Sequence, residues 1–145
     1  MECGNCTLCC KLTEIRSLPT PSPIDTYCEW CSPGVGCRNY SSRPDECRKY
    51  QCMWSQMSNV VVGLRPDLSH IIFERASDDV INARLEKNHK MSRLVVGQIR
   101  AFNSEGFSVF VLRGRSSICF PAEKHSQEYV RKVVNDCAKL YRRLN

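Results

Sequence analysis

The chain has 145 residues, a formal net charge of +6 and 11 cysteines. That length allows one or two small domains, and a pI near 8.8 falls short of the strongly basic balance expected of a dedicated nucleic-acid-binding domain. No apolar run approaches the ~20 residues of a membrane-spanning helix, so a membrane partner is not expected.

Nine of the cysteines fall within the first 52 residues: Cys3, Cys6, Cys9, Cys10, Cys28, Cys31, Cys37, Cys47 and Cys52. That density means a metal site or a disulfide scaffold. The run begins two residues after Met1 with no charged and apolar leader before it, which predicts a reducing, cytoplasmic setting. Cys3-x-x-Cys6 and Cys28-x-x-Cys31 each place two sulfurs close enough to clamp one tetrahedral cation, at Zn–S distances of about 2.3 Å. An odd cysteine total, and an adjacent Cys9–Cys10 pair that could bridge only in a strained ring, argue against disulfides. The expected cofactor is zinc, as two ions, with iron or an iron–sulfur cluster as the alternative, because spacing alone does not separate them. Two four-cysteine sites would leave one of the nine thiols free, whereas a thiolate-bridged cluster would employ them all.

Composition points the same way. Residues 1–58 carry few large aliphatics and many prolines and glycines, and a segment of under ~60 residues with so little apolar surface is marginal without a staple. The six basic and six acidic side chains of this region cancel, so the whole positive excess belongs to residues 59–145. Arg38, Arg43, Arg48 and Lys49 are interleaved with the cysteines, where they offset the negative charge of a four-thiolate site. Pro44, Asp45 and Glu46 suit the start of a short helix that presents Cys47 inward and leads towards Cys52. Trp30, Tyr40, Tyr50 and Trp54 are expected to cover thiolate sulfur and exclude water.

Residues 59–145 read as a small ββαββα region packed against the cysteine-rich one, so the fold class is α+β. Residues 71–74 and 80–85 are short β-rich runs joined by a polar turn. Met91, Val95, Ile99 and Phe102 recur at helical spacing until Asn103-Ser104-Glu105-Gly106 ends the helix. Residues 107–112, apolar on both faces, predict an inner strand, and residues 116–120 return after a turn. Ser126 is placed to cap a final helix whose apolar stripe runs from Val130 to Leu144. Cys119 and Cys137 lie within these regular elements and are read as buried apolar residues outside the site. His70, His89 and His125 have no spacing that ties them to a cysteine pair and are read as surface residues.

The order Cys3-x-x-Cys6-x-x-Cys9-Cys10, then Trp30-Cys31, Gly36-Cys37-Arg38, Arg43-Pro44 and Cys47-Arg48-x-Tyr50-x-Cys52, resembles the CxxCxxCC family of zinc- or iron-chelating domains, the YkgJ-type cysteine cluster proteins. The resemblance covers about the first 54 residues and implies that these cysteines form a metal-ligand set. Larger proteins with this motif resemble flagellin lysine N-methylases, but this chain has no glycine-rich strand-to-helix turn to cradle an adenosyl cofactor. It also offers no Ser/His/Asp order, no paired carboxylates and no open histidine-rich metal site. The expected function is therefore metal binding in a structural or partner-recognition role, with an unidentified protein as partner. An iron–sulfur protein with redox or methyl-transfer-related activity and a nucleic-acid-binding zinc protein are the alternatives.

Overall fold

The computed structural model describes residues 4–57, 61–114, 116–132 and 134–135. The cysteine-rich part is built from short elements: helix α1 (Cys9–Leu12), the two-residue strands β1 (Cys31–Ser32) and β2 (Gly36–Cys37), and helices α2 (Asp45–Lys49) and α3 (Met53–Gln56). None is long enough to be stable alone, because helix nucleation is costly and an isolated hairpin is marginal in water. Backbone bonds across the loops hold them together. The Cys28 N–H donates to the Cys10 carbonyl at 2.9 Å and Arg38 N–H to the Trp30 carbonyl at 2.8 Å, and Ile15 and Ser22 form an isolated antiparallel bridge.

A single-turn helix α4 (Pro66–Ser69), opened by proline, leads into a four-stranded sheet of β3 (Ile71–Arg75), β4 (Val80–Leu85), β5 (Ser108–Arg113) and β6 (Ser116–Phe120), arranged in that spatial order. β3–β4 and β5–β6 pair antiparallel, whereas β4 and β5 are parallel. A parallel neighbour demands a crossover, and α5 (Arg93–Ser104) provides it. Ser92 caps α5 by accepting the Val95 N–H at 3.3 Å, and Gly106 takes φ +93° just beyond its end. Ser126 likewise accepts the Tyr129 N–H at 3.1 Å where the helical residues 127–132 begin. The α+β class and its ββαββα order thus agree with the periodicity. The apolar stripe expected beyond residue 135, including Cys137, lies outside the described residues.

Strand alternation decides what covers each face of the sheet. Ile71, Phe73, Ile81, Ala83, Leu85, Val109 and Val111 share one cluster with Val95, Ile99 and Phe102 of α5. Ile72 points the other way and joins Leu8, Leu12 and Cys52, while Tyr50 and Trp54 pack around them. Ile71, Ile72 and Ile81 are all fully buried, so β3 is covered on both faces. The cysteine-rich part is therefore the second layer on the sheet, seated on Ile72, and α3 also contacts β3.

Candidate metal centre

Four segments deliver cysteines to one cleft of about 950 Å³, walled by Cys6, Cys9, Cys10, Cys28, Cys31, Cys37, Cys47 and Cys52. Cys6 precedes α1 and Cys9 and Cys10 form its first turn, where adjacent helical residues point in different directions. The Cys28–Cys31 turn closes with the Cys31 N–H donating to the Cys28 carbonyl at 2.9 Å, and Trp30 N–H donates to the Cys28 Sγ at 3.4 Å. β1 and β2 then set Cys31 directly opposite Cys37. The Pro33-Gly34-Val35 connection between them needs φ +72° at Gly34, which glycine reaches without strain. Cys47 lies on α2 and is half-buried against the cluster of Ile15, Leu18, Cys28 and Cys31, facing inward as expected. Cys52, 8% exposed, precedes α3 and rests on the Ile72 cluster. Cys3 lies outside the described residues, and Cys119 stands apart on edge strand β6 opposite Phe110. Cys119 is half-buried, not sealed in a core as its apolar neighbours suggested.

The eight cleft thiols are free of disulfides, and Cys6, Cys9, Cys10, Cys28, Cys31, Cys37 and Cys47 act on one another electrostatically. Cys10 donates its S–H to Cys9, which draws the Cys9 thiol down to about 7 against the opposing effect of burial, while the same bond pushes Cys10 up. Burial is the main influence raising Cys6, Cys31 and Cys47, and the charge of neighbouring cysteines adds to it in each, although the Cys10 hydrogen bond partly offsets it at Cys31. Several thiols withdrawn from water beside one another cannot all ionise unless a cation compensates them. The donor set is entirely sulfur and thus suits a soft or borderline metal, so the residues fit the expected zinc or iron. The sulfurs are spread around the walls. Among the described residues, the one group of three candidate donor atoms all within 4.8 Å of one another is His70, Glu86 and His89.

Two of the four basic side chains expected to offset thiolate charge do border the cleft. Arg43 lines it and lowers Cys9, while its guanidinium lies 3.9 Å from the Tyr40 ring centre. Arg48 lines it too and donates to the carbonyls of Arg43 and Ser41, whereas Arg38 bonds the Glu29 carbonyl and Lys49 faces Asp45 on the surface. Tyr40 departs from its expected covering role, being 64% exposed. Tyr50 lines the cleft and packs with Trp54 on the Ile72 cluster, and the Tyr50 hydroxyl and Trp54 Nε1 are buried without a hydrogen-bond partner among the described residues. Burial pushes the Tyr50 hydroxyl far above its ordinary value, which keeps it a protonated donor.

His70 and His89 keep 37% and 38% of their side chains exposed, as the surface reading expects, but they are not isolated there. Ile71 pairs with Leu85 at the end of the β3–β4 ladder, so His70 and Glu86, the next residues outward, face each other. His70 Nδ1 lies 2.8 Å from a Glu86 carboxylate oxygen, His89 Nε2 lies 3.3 Å from the same oxygen, and the two rings stack with centres 3.5 Å apart. Lys11, next to Cys10, bonds the other Glu86 oxygen. Burial raises the Glu86 carboxyl, but the Lys11 and His70 bonds outweigh it and leave it below the usual range. His125 alone departs from the surface reading, its side chain being 9% exposed.

A Ser/His/Asp set, not expected from the order of residues, also comes together. Ser108 Oγ is 2.6 Å from His125 Nδ1, and His125 Nε2 is 3.4 Å from Asp79 Oδ2, which also accepts the Tyr129 hydroxyl at 2.5 Å. It is not built for nucleophilic attack. Ser108 is fully buried and accepts the Ala122 N–H at 3.0 Å, so its hydroxyl serves to fasten the segment after β6 onto the start of β5. Comparison with known proteins finds no matching family model, no matching curated protein and no matching solved structure. Among the described residues no helix is long and apolar enough to cross a membrane.

Proposed function

We propose that this protein is a thiolate metalloprotein whose cysteine-rich part holds a centre of more than one metal ion, in the manner of the CxxCxxCC group it resembles. The observation that carries this reading is the convergence of eight cysteines from four segments on one cleft, with burial raising several of their thiols. Eight donors exceed the four that close a tetrahedral ion, and electrostatic influence runs continuously from Cys6 through Cys9, Cys10 and Cys31 to Cys28 and Cys47. Cys3, beside Cys6 in sequence, is the ninth ligand candidate. Metal–thiolate bonds replace the apolar core that residues 1–58 lack, which makes the role structural and leaves the exposed surface around Tyr40 and Arg43 for a protein partner. Held as thiolates, these cysteines belong in a reducing compartment.

The test is elemental analysis with an absorption spectrum on protein purified without oxygen and without added metal. Two or more metal ions per chain, lost on substitution of Cys9 or Cys47, support the reading. Zinc in a colourless sample identifies a zinc–thiolate centre, and iron with acid-labile sulfide identifies an iron–sulfur cluster and puts electron transfer first. Metal-free protein with oxidised cysteines overturns it.

A further inference from the structure

We propose a second, chemically different metal site in this protein, in which His70, Glu86 and His89 bind one borderline divalent cation such as Zn²⁺, Fe²⁺ or Co²⁺. The donor atoms are His70 Nδ1, His89 Nε2 and the Glu86 oxygen that faces both, at 2.8 and 3.3 Å, and all three lie within 4.8 Å of one another. The backbone positions need not change, but the stacked rings must turn about their side-chain bonds so that both nitrogens meet a common cation in their ring planes at about 2.0–2.2 Å. Two imidazoles and one carboxylate suit a borderline metal, whereas calcium and magnesium seek oxygen donors.

The backbone supports the set. His70 and Glu86 extend the β3–β4 ladder, and the Glu86 N–H donates to the His70 carbonyl at 3.0 Å. Glu86-Lys87-Asn88-His89 is a turn closed by the His89 N–H on the Glu86 carbonyl at 3.0 Å, which brings side chains three apart onto one side. Arg113 holds the His89 carbonyl from β5 at 2.6 Å. Three protein ligands leave further coordination positions, and a cavity of about 260 Å³ bordered by the same three residues, Thr7, Tyr27 and Asp67 opens beside them. The site is thus shaped to take water or a small anionic ligand on the metal, unlike an all-cysteine shell. Lys11 sets its occupancy. Its ammonium bonds the remaining Glu86 oxygen and opposes an incoming cation, and it sits one residue after Cys10 on α1, so the two sites share an element.

The experiment is titration of Co²⁺ into the full chain as purified, comparing the wild type with His70→Asn and His89→Gln. Asparagine tolerates the φ of +57° that residue 70 adopts, which keeps that turn intact. The wild-type-minus-variant difference should equal one cobalt per chain, with visible ligand-field bands and no near-ultraviolet thiolate charge-transfer band. Each variant should weaken that equivalent by about a hundredfold or more, with the thiolate-bound metal content unchanged. Lys11→Met supplies an arm that misfolding cannot imitate, because removing the opposing charge should tighten cobalt binding about tenfold. A zero difference spectrum, a difference carrying a thiolate band, or unchanged or weakened binding in Lys11→Met overturns the site. Failure of the cysteine centre would appear separately, as metal-free protein before any cobalt is added.

Discussion

The two parts of this molecule solve the same folding problem with different materials. The sheet, α5 and Leu64 bury one contiguous cluster of eleven residues, all aliphatic or phenylalanine, that needs nothing from outside the chain. The cysteine-rich part buries Ile15, Leu18, Leu8 and Leu12 in two small clusters, with cysteines as the remaining members and Ile72 of the sheet completing one of them. A hydrophobic core gains stability from any arrangement that excludes water, whereas buried thiols gain little by packing and much more when a cation makes thiolates favourable. One part is accordingly self-sufficient, and under the proposed function the other is conditional on its metal.

Metal removal is the strongest way to break the comparison. Anaerobic chelation should abolish hydrogen-exchange protection across residues 6–52 while β3, β4 and β5 stay protected, since structural metal contributes on the order of 10–16 kcal/mol of apparent binding free energy. Equal loss in both parts would mean that the sheet depends on the metal as well. Single ligands come next. Cys9→Ser and Cys47→Ser should lower metal content and midpoint temperature together, and Cys119→Ser should leave metal content at the wild-type value by elemental analysis.

Core truncation sharpens the boundary between the two parts. Ile81→Ala should cost about 2–5 kcal/mol in denaturant unfolding without touching metal content. Ile72→Ala should cost a similar amount and also loosen metal retention against a chelator, because Ile72 is the sheet's contribution to the Cys52 cluster. The smallest effect is electrostatic. The Tyr129 bond holds the Asp79 carboxyl below its usual range, with Ser77 assisting, and Asp79 in turn raises Tyr129 to about 12. A depressed carboxylate stabilises above its unfolded pKa and fails as pH falls through the folded one; a raised phenol stabilises below its ordinary value near 10 and fails as pH climbs towards 12. Tyr129→Phe should therefore lower stability by about 0.5–1 kcal/mol at neutral pH, with the gap from wild type closing at both extremes in thermal unfolding scans.

Why some features were legible in the chain and others were not follows from the range of the interactions. Strand and helix signals at residues 71–74, 80–85, 91–102 and 116–120 are local and agree with the structure to within a residue or two, since period and turn chemistry act over a few neighbours. The β1–β2 pairing that sets Cys31 against Cys37 has only two residues per strand and no apolar alternation, so no periodic signal announces it. His70 and His89 were read as surface residues because each has polar neighbours, and only the β3–β4 register brings His70 to Glu86. Glu86-x-x-His89 was the one available hint, a spacing that puts carboxylate and imidazole on one side of a turn. Ser108, His125 and Asp79 were equally invisible, since a parallel pairing and the return after β6 unite three distant positions.

What the sequence determined by itself was the division of labour: sulfur in the first third, alternating aliphatics in the rest, and the α+β order of the elements. Those are properties of composition and short-range period, which survive without knowledge of the fold. The tertiary structure alone decided that eight thiols share one cleft, that the cleft's floor is the second face of the sheet, and that Lys11 joins the cysteine helix to a carboxylate and two imidazoles. Such meetings depend on strand register and layer packing, where side chains dozens of residues apart become neighbours for reasons that none of them carries individually.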